Sequence, residues 1–258
     1  MANTTFTPGA GTFAIIGTST SHTIDPGNNV FNNFTMNQTG NISLANNNVS
    51  LNSSGILTLT NGVMNTGSFQ VIVNNSDPNA VNAGNSTSYI NGNIRRYFAA
   101  NTGTYVFPVG TASAYRLAEI INNSMTGISY IDGKFSSTFT NTGSLNGTIA
   151  NDLGTPYTSF ATEGIWTLTP NAQPASGSYN IKLWFDGGGA NAFSGLTDYA
   201  FGPLKRANAA TTASVWSSQG GSISSTIGRT FADGFAYRSG WNTFSEFGIG
   251  KASGALPI

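Results

Sequence analysis

The chain has 258 residues, no cysteine and a formal net charge of zero, with 8% charged and 39% hydrophobic side chains. That length admits one large all-β domain or two ordinary ones, and the composition excludes the highly charged disordered class, disulfides and thiolate metal sites while leaving the compartment open. Basic residues come singly or as the pairs Arg95-Arg96 and Lys205-Arg206, so no basic stripe invites nucleic acid, and no apolar run approaches the roughly 20 residues of a membrane span.

Met1-Ala2-Asn3 does not open a signal peptide, and the chain reads as a mature or excised segment with a start Met added. Up to Ile94 there is no Lys or Arg, and Asp25 and Asp77 are the only acids. Short strand-like runs follow one another there, at residues 12–16, 30–36, 42–44, 49–51, 56–60 and 69–73. Alternation places Phe34, Met36, Ile42, Leu44, Val49, Leu51, Leu57, Leu59, Phe69, Val71 and Val73 on one face. Thr35, Ser43, Ser50, Thr58, Thr60 and Gln70 take the other. Turn signals such as Ser54-Gly55, Asn61-Gly62 and Thr66-Gly67 separate the runs.

An antiparallel meander and a right-handed parallel β-solenoid both fit, and the short strands with Asn-rich turns favour the solenoid. The Asn residues have two readings: side-chain amides stacked between coils, or plain turn chemistry. A solenoid needs covered ends, so a differently composed second domain is expected to cap it.

Composition changes near Arg95. Longer, aromatic strands are predicted at residues 105–109, 115–121, 128–139, 164–169, 178–185, 201–206, 214–218, 223–237 and 243–249, with no helical period. Such spacing predicts a β-sandwich. In the run before Asp186, Tyr179, Ile181, Leu183 and Phe185 face inward, while Asn180, Lys182 and Trp184 face outward. The predicted organisation is a solenoid over residues 1–98 and a sandwich over 99–258.

Several segments carry a resemblance. They are Gly11-Thr12-Phe13, Phe31-Asn32-Asn33-Phe34, Gly55-Ile56-Leu57-Thr58-Leu59-Thr60 and Tyr89-Ile90-Asn91-Gly92-Asn93-Ile94-Arg95-Arg96-Tyr97-Phe98. Gly103-Thr104-Tyr105-Val106-Phe107-Pro108-Val109-Gly110 and Arg238-Ser239-Gly240-Trp241-Asn242-Thr243-Phe244-Ser245-Glu246-Phe247-Gly248-Ile249-Gly250 continue it. Together they resemble the β-solenoid modules of large secreted surface proteins of Bacteroidota, over nearly the full length. The resemblance implies an extracellular location, export by the type IX secretion system, and a chain that passes beyond Ala255-Leu256-Pro257-Ile258 into a C-terminal sorting domain. It implies no catalytic motif.

Candidate chemistry is sparse. His22, the only histidine, lies near Ser19, Ser21 and Asp25, but no strained GxSxG elbow accompanies it, and a polar strand-edge histidine is the preferred reading. Glu119, Asp132, Asp152, Glu163, Asp186, Asp198, Asp233 and Glu246 fall mostly one per strand or loop, so spacing pairs no two as glycoside hydrolysis requires. Glu246 is expected to pair with Arg238. Asp186-Gly187-Gly188-Gly189 with Asp198 is the nearest approach to a calcium loop, too poor in acids to be preferred over a flexible hairpin loop, and it lacks the Lys-Ser/Thr of a phosphate loop.

Binding is the more promising class. Trp184 with Lys182 beside it and Tyr199 in a nearby loop forms a candidate aromatic platform for a sugar ring. The alternative covers Trp184 with the solenoid or a loop at the domain junction. Thr58-Leu59-Thr60 offers one pair for an ice-binding face, unrepeated by Ser43, Ser50 and Gln70. Sequons such as Asn33-Phe34-Thr35, Asn41-Ile42-Ser43 and Asn85-Ser86-Thr87 arise by chance in so polar a stretch.

The sequence therefore predicts an all-β protein, a short right-handed parallel β-solenoid followed by an antiparallel β-sandwich. Its expected role is a non-catalytic structural or adhesive module of an extracellular surface protein or filament, with a cell-surface glycan-binding module as the rival. No cofactor, metal, nucleic acid or membrane insertion is expected. Expected partners are further copies or neighbouring modules of the same surface protein, with glycans for the rival reading.

Overall fold

Runs of three to six alternating residues, broken where Asn or Gly turns the chain, stack as coils with three rows of parallel strands. A computed structural model describes residues 9–18, 21–138, 144–186, 189–207 and 215–257. The first coil holds β1 (Thr12–Gly17), β2 (Ser21–Ile24) and β3 (Val30–Phe31), and the second β4 (Asn33–Gln38), β5 (Asn41–Leu44) and β6 (Val49–Leu51). A single long strand, β7 (Leu57–Val73), makes the third, and β8 (Ser88–Tyr97) the fourth. Equivalent positions pair in parallel, Phe13 with Phe34 with Leu57, and His22 with Ile42 with Met64 with Ile90. The third row runs Phe31, Leu51, Val73, Arg96.

Alternation decides what fills the stack. Phe34, Met36, Ile42, Leu44, Val49, Leu51, Leu57, Leu59, Val71 and Val73 are buried, while Phe69 is half-buried against them. Two differences from the sequence reading have one cause, the geometry of corners. Asn32 splits residues 30–36 into two strands, whereas residues 57–60 and 69–73 belong to one strand that bends without ending. Gly62 makes this possible at φ +94°, where a Cβ would lie 2.6 Å from the Gln38 carbonyl oxygen of the coil below. β2 and β8 have no counterpart among the predicted runs.

Both readings of the Asn residues hold. Asn52 Nδ2 donates to Asn32 Oδ1 at 3.0 Å and Asn91 Nδ2 to Asn65 Oδ1 at 2.8 Å, across 20 and 26 residues of sequence. Other amides bridge coils through the backbone: Asn82 accepts from Leu59 N and donates to Leu59 O, both at 2.8 Å. Meanwhile Asn52 Oδ1 also accepts from Ser54 N within its own turn. Neutral side chains thus satisfy corner groups that would otherwise lose water on stacking.

The stack ends at Arg95-Arg96. Successive residues of β8 point to opposite sides, so Arg95 faces out and meets Asp132 at 2.7 Å, while Arg96 points inward, fully buried, on top of the Phe31-Leu51-Val73 row. Arg96 donates to the carbonyls of Asp77, Pro78 and Val106. Burial lowers its guanidinium to about 10.

β8 then feeds a sandwich. Ile90 and Asn91 pair with β9 (Thr102–Gly110), and residues 94–97 pair with β11 (Tyr130–Ser136). One sheet continues from β9 through β10 (Tyr115–Thr126). Beyond the β12 (Ser144–Leu145) segment and the β13 (Asn151–Asp152) hairpin with β14 (Thr155–Phe160), β15 (Ile165–Pro170) pairs with β11. β16 (Ser176–Trp184) joins β10. β17 (Phe201–Arg206), β18 (Val215–Trp216) and β19 (Ser222–Ile223) precede β20 (Phe235–Trp241) and β21 (Glu246–Ala252). The two antiparallel layers are β9-β10-β16-β20-β19 and β8-β11-β15-β21, with β14 and β17 flanking β21. One apolar cluster runs from Phe34 in the coils to Trp241 and Ile249 in the sandwich.

The predicted run over residues 223–237 is corrected. Gly228 at φ +63° and a 3-10 turn, Phe231–Asp233, interrupt it, the Asp233 carboxylate accepting from Arg229 N and Thr230 N. Burial would raise this carboxyl, but those bonds outweigh it and hold it below its ordinary value. Glu246 also has a different partner from the one expected. β17 sets Arg206 directly opposite it, 2.9 Å away, while Arg238 reaches Asp152 at 2.6 Å. Residues 139 and 214, at the ends of two predicted runs, lie outside the described residues.

Lys205 supplies a pH test of this packing. Its ammonium lies 5.3 Å from the Trp241 ring centroid and donates to Thr243 O at 3.1 Å, and burial lowers it to about 8. A cation depressed in the folded state contributes stability that is present above its ordinary 10.5 and is lost as pH falls through about 8. Urea midpoints of wild type relative to Lys205→Met are therefore expected to rise between pH 8 and 10; parallel pH responses would refute this.

Candidate functional site

Antiparallel register aligns side chains from three strands on the outer face of one sheet. Glu119 of β10 lies opposite Lys182 of β16, Lys182 opposite Tyr237 of β20, and Trp184 opposite Phe235. Lys182 and Trp184 point outward because Tyr179, Ile181, Leu183 and Phe185 fill the interior, as alternation requires. Glu119 organises the patch. Its Oε1 accepts from Trp184 Nε1 at 2.8 Å, and its Oε2 lies 3.4 Å from Lys182 Nζ. Lys182 Nζ sits 4.8 Å from the Phe235 centroid, and the Phe235 and Trp184 rings are 4.9 Å apart. Burial pushes the Tyr237 phenol above its ordinary value.

Trp184, Phe235 and Tyr237 are all half-buried, so neighbouring strands cover part of Trp184. An aromatic surface beside an ion pair can stack on the apolar face of a sugar ring and hydrogen-bond its hydroxyls. Tyr199 belongs to another neighbourhood. It is 42% exposed at φ +60°, its ring lies 5.6 Å from the Arg229 guanidinium carbon, and its backbone bonds Arg229 and Leu256. Sequence reasoning brought Trp184 and Lys182 together but missed Glu119, Phe235 and Tyr237 as their companions. The alternation of Phe235 and Tyr237 with Ala236 and Arg238 carried that signal.

The other candidates have structural partners. His22 is exposed on β2, at the edge of the first coil. Asp25 accepts from Asn46 Nδ2 at 2.8 Å, Asn47 Nδ2 at 2.9 Å and Gly27 N at 2.9 Å, and these bonds hold its carboxyl below the ordinary value. Ser19, also named beside His22, lies outside the described residues. Asp132 pairs with Arg95, Asp152 with Arg238, and Glu246 with Arg206. Glu163 accepts from Ser194 N and Oγ, Asp198 from Phe231 N, and Asp186 interacts electrostatically with buried Arg116.

Among the described residues no three His, Cys, Asp or Glu side chains gather as a metal site. Gly187 and Gly188 of the candidate calcium loop lie outside them. Thr58 is in register with Thr35, but the next position in that row is Ala14, so a threonine ladder stops after two coils. Two cavities, about 310 and 240 Å³, open at the first coil beside Ala14 and Pro26 respectively. No protein-family model matches the chain, and no curated protein or solved structure matches it either.

Proposed function

We propose that this chain is a non-catalytic structural or adhesive module of an extracellular surface protein or filament, of the kind that Bacteroidota export by the type IX system. The observation that carries the reading is the continuity of coils and sandwich. β8 pairs with the third coil on one side and with strands of both sandwich layers beyond it, and the apolar cluster passes through the junction. Such a rod transmits load along hydrogen-bonded strands, and inter-coil Asn amides brace its corners. Neutral corners also suit repetitive close stacking, because no charge needs to keep its hydration there.

The Glu119-Trp184-Lys182-Phe235 patch favours a second reading, a glycan-binding module on the cell surface. The two are separated by experiment. Fractionation and electron microscopy of native material are expected to find the chain on the cell surface in an elongated assembly, and recovery from the cytoplasm would defeat both readings. Tryptophan fluorescence that responds to a member of a broad glycan panel, and loses that response in Trp184→Ala, would select the second. No response across the panel removes it.

A further inference from the structure

The chain has four lysines, and three of them have ordinary settings. Lys134 is exposed, Lys182 pairs with Glu119 at 3.4 Å, and Lys251 interacts electrostatically with Glu163. Lys205 is half-buried, and burial alone acts on its charge. All ten acidic side chains of the sequence lie among the described residues, and none of them forms an ion pair with Lys205. The acid nearest to it in the β17-β21 ladder, Glu246, turns with Arg206 to the opposite side of the two strands.

The amine is nonetheless held in place. Lys205 Nζ donates to Thr243 O at 3.1 Å and to Thr243 Oγ1 at 2.5 Å, both bonds being solvent-exposed, and it lies 5.3 Å from the ring centroid of fully buried Trp241. Its two acceptors are themselves pinned. Thr243 O also accepts from Tyr179 Oη at 2.8 Å, and Gln173 clamps the next residue, accepting from Phe244 N at 2.7 Å and donating to Phe244 O at 2.9 Å. Burial holds the Tyr179 phenol well above its ordinary value, so it stays a donor. Two acceptors on one residue take two hydrogens of the nitrogen, and the lone pair of the neutral amine therefore points away from Thr243. No anion retains the third proton, and burial favours its loss. A desolvated lysine fixed in this way is a nucleophile.

We propose that Lys205 is a covalent attachment site, whose amine takes an acyl group from a thioester donor. Nζ attacks the carbonyl carbon, the carbon–sulfur bond breaks, and the sulfur leaves with the electron pair and gains the proton that the nitrogen sheds. Amine and thioester thus give amide and thiol, with no change of oxidation state. The surroundings favour an acyl donor over an aldehyde. An imine nitrogen carries no hydrogen in its neutral form and would leave both Thr243 acceptors unmet, whereas an amide keeps one N–H for Thr243 O and removes the unpaired charge beside Trp241. The site goes beyond the structural reading above and holds wherever the chain works.

The test is competitive acylation of the folded chain by a small acetyl thioester, read lysine by lysine with peptide mass spectrometry. At pH 8 Lys205 is expected to react at least about tenfold faster than exposed Lys134 in the same sample, and its rate to level off by about pH 9. Thr243→Asp, at an exposed position, supplies the missing acid. It should bring Lys205 to within a few-fold of Lys134 while leaving the Lys134 rate and the melting midpoint nearly unchanged. Lys205→Arg should abolish the fast reaction and leave the other lysines as slow as before. In native material the peptide that contains Lys205 is expected to carry an amide-linked acyl group. A wild-type Lys205 no faster than Lys134 at pH 8, a rate still climbing beyond pH 10, fast reaction retained in folded Thr243→Asp, or unmodified Lys205 throughout native material overturns the proposal. Should Thr243→Asp fail to fold, the wild-type rates and the native peptide decide.

Discussion

Alanine in place of Arg238 is expected to cost about 3–5 kcal/mol of unfolding free energy, the usual consequence of leaving one member of a buried pair unopposed. Arg238 has no exposed surface, and Nη1 and Nη2 donate to the two oxygens of Asp152 at 2.8 and 2.6 Å. Nη2 also reaches Tyr157 Oη at 3.0 Å, and Nε reaches Pro203 O at 2.9 Å. One side chain thus ties the β13-β14 hairpin to β17 and β20. Its loss strands a buried carboxylate, a phenol and a carbonyl. The double variant Asp152→Asn/Arg238→Met removes the uncompensated charge and should recover part of the loss in urea unfolding. A cost for Arg238→Ala no larger than the roughly 1 kcal/mol of a surface pair would refute this account.

Phe34→Ala in the second coil is expected to cost a similar amount, about 3–5 kcal/mol for a fully buried phenylalanine. Phe34 has no exposed surface, and its ring lies 5.5 and 5.6 Å from those of Phe13 and Phe31. The informative quantity is where the loss registers. Trp166, Trp184, Trp216 and Trp241 all belong to the sandwich, so tryptophan fluorescence reports unfolding there alone, whereas far-ultraviolet circular dichroism reports both parts. A core that runs through β8 predicts that the variant shifts both transitions together. A fluorescence midpoint that stays in place while the dichroism midpoint falls would show that the coils melt by themselves.

Much of the fold was legible because its signals are local. The inward sets Phe34 and Met36, Val49 and Leu51, and Tyr179, Ile181, Leu183 and Phe185 follow from two-residue alternation, and all are buried. Corners were less legible: Asn32 ends a strand while Gly62 bends one, and the difference depends on the coil beneath, where the Gln38 carbonyl allows no side chain at Gly62. Ion pairs were legible least. Arg206 and Glu246 are 40 residues apart, Arg238 and Asp152 are 86 apart, and neither spacing says which acid each arginine meets. The candidate site shows the same divide. Trp184 and Lys182 share a face by alternation alone, but Glu119 and Phe235 reach them through register between distant strands, and Tyr199 is drawn away to Arg229.

By itself the sequence determined an all-β chain and which side chains face inward, since alternation acts over a few residues. Only the tertiary structure decided that β8 would serve both the coils and the two layers of the sandwich, and that Arg96 would close the Phe31-Leu51-Val73 row. Those outcomes depend on which distant strands share backbone hydrogen bonds, and that choice is settled by the packing of the whole core.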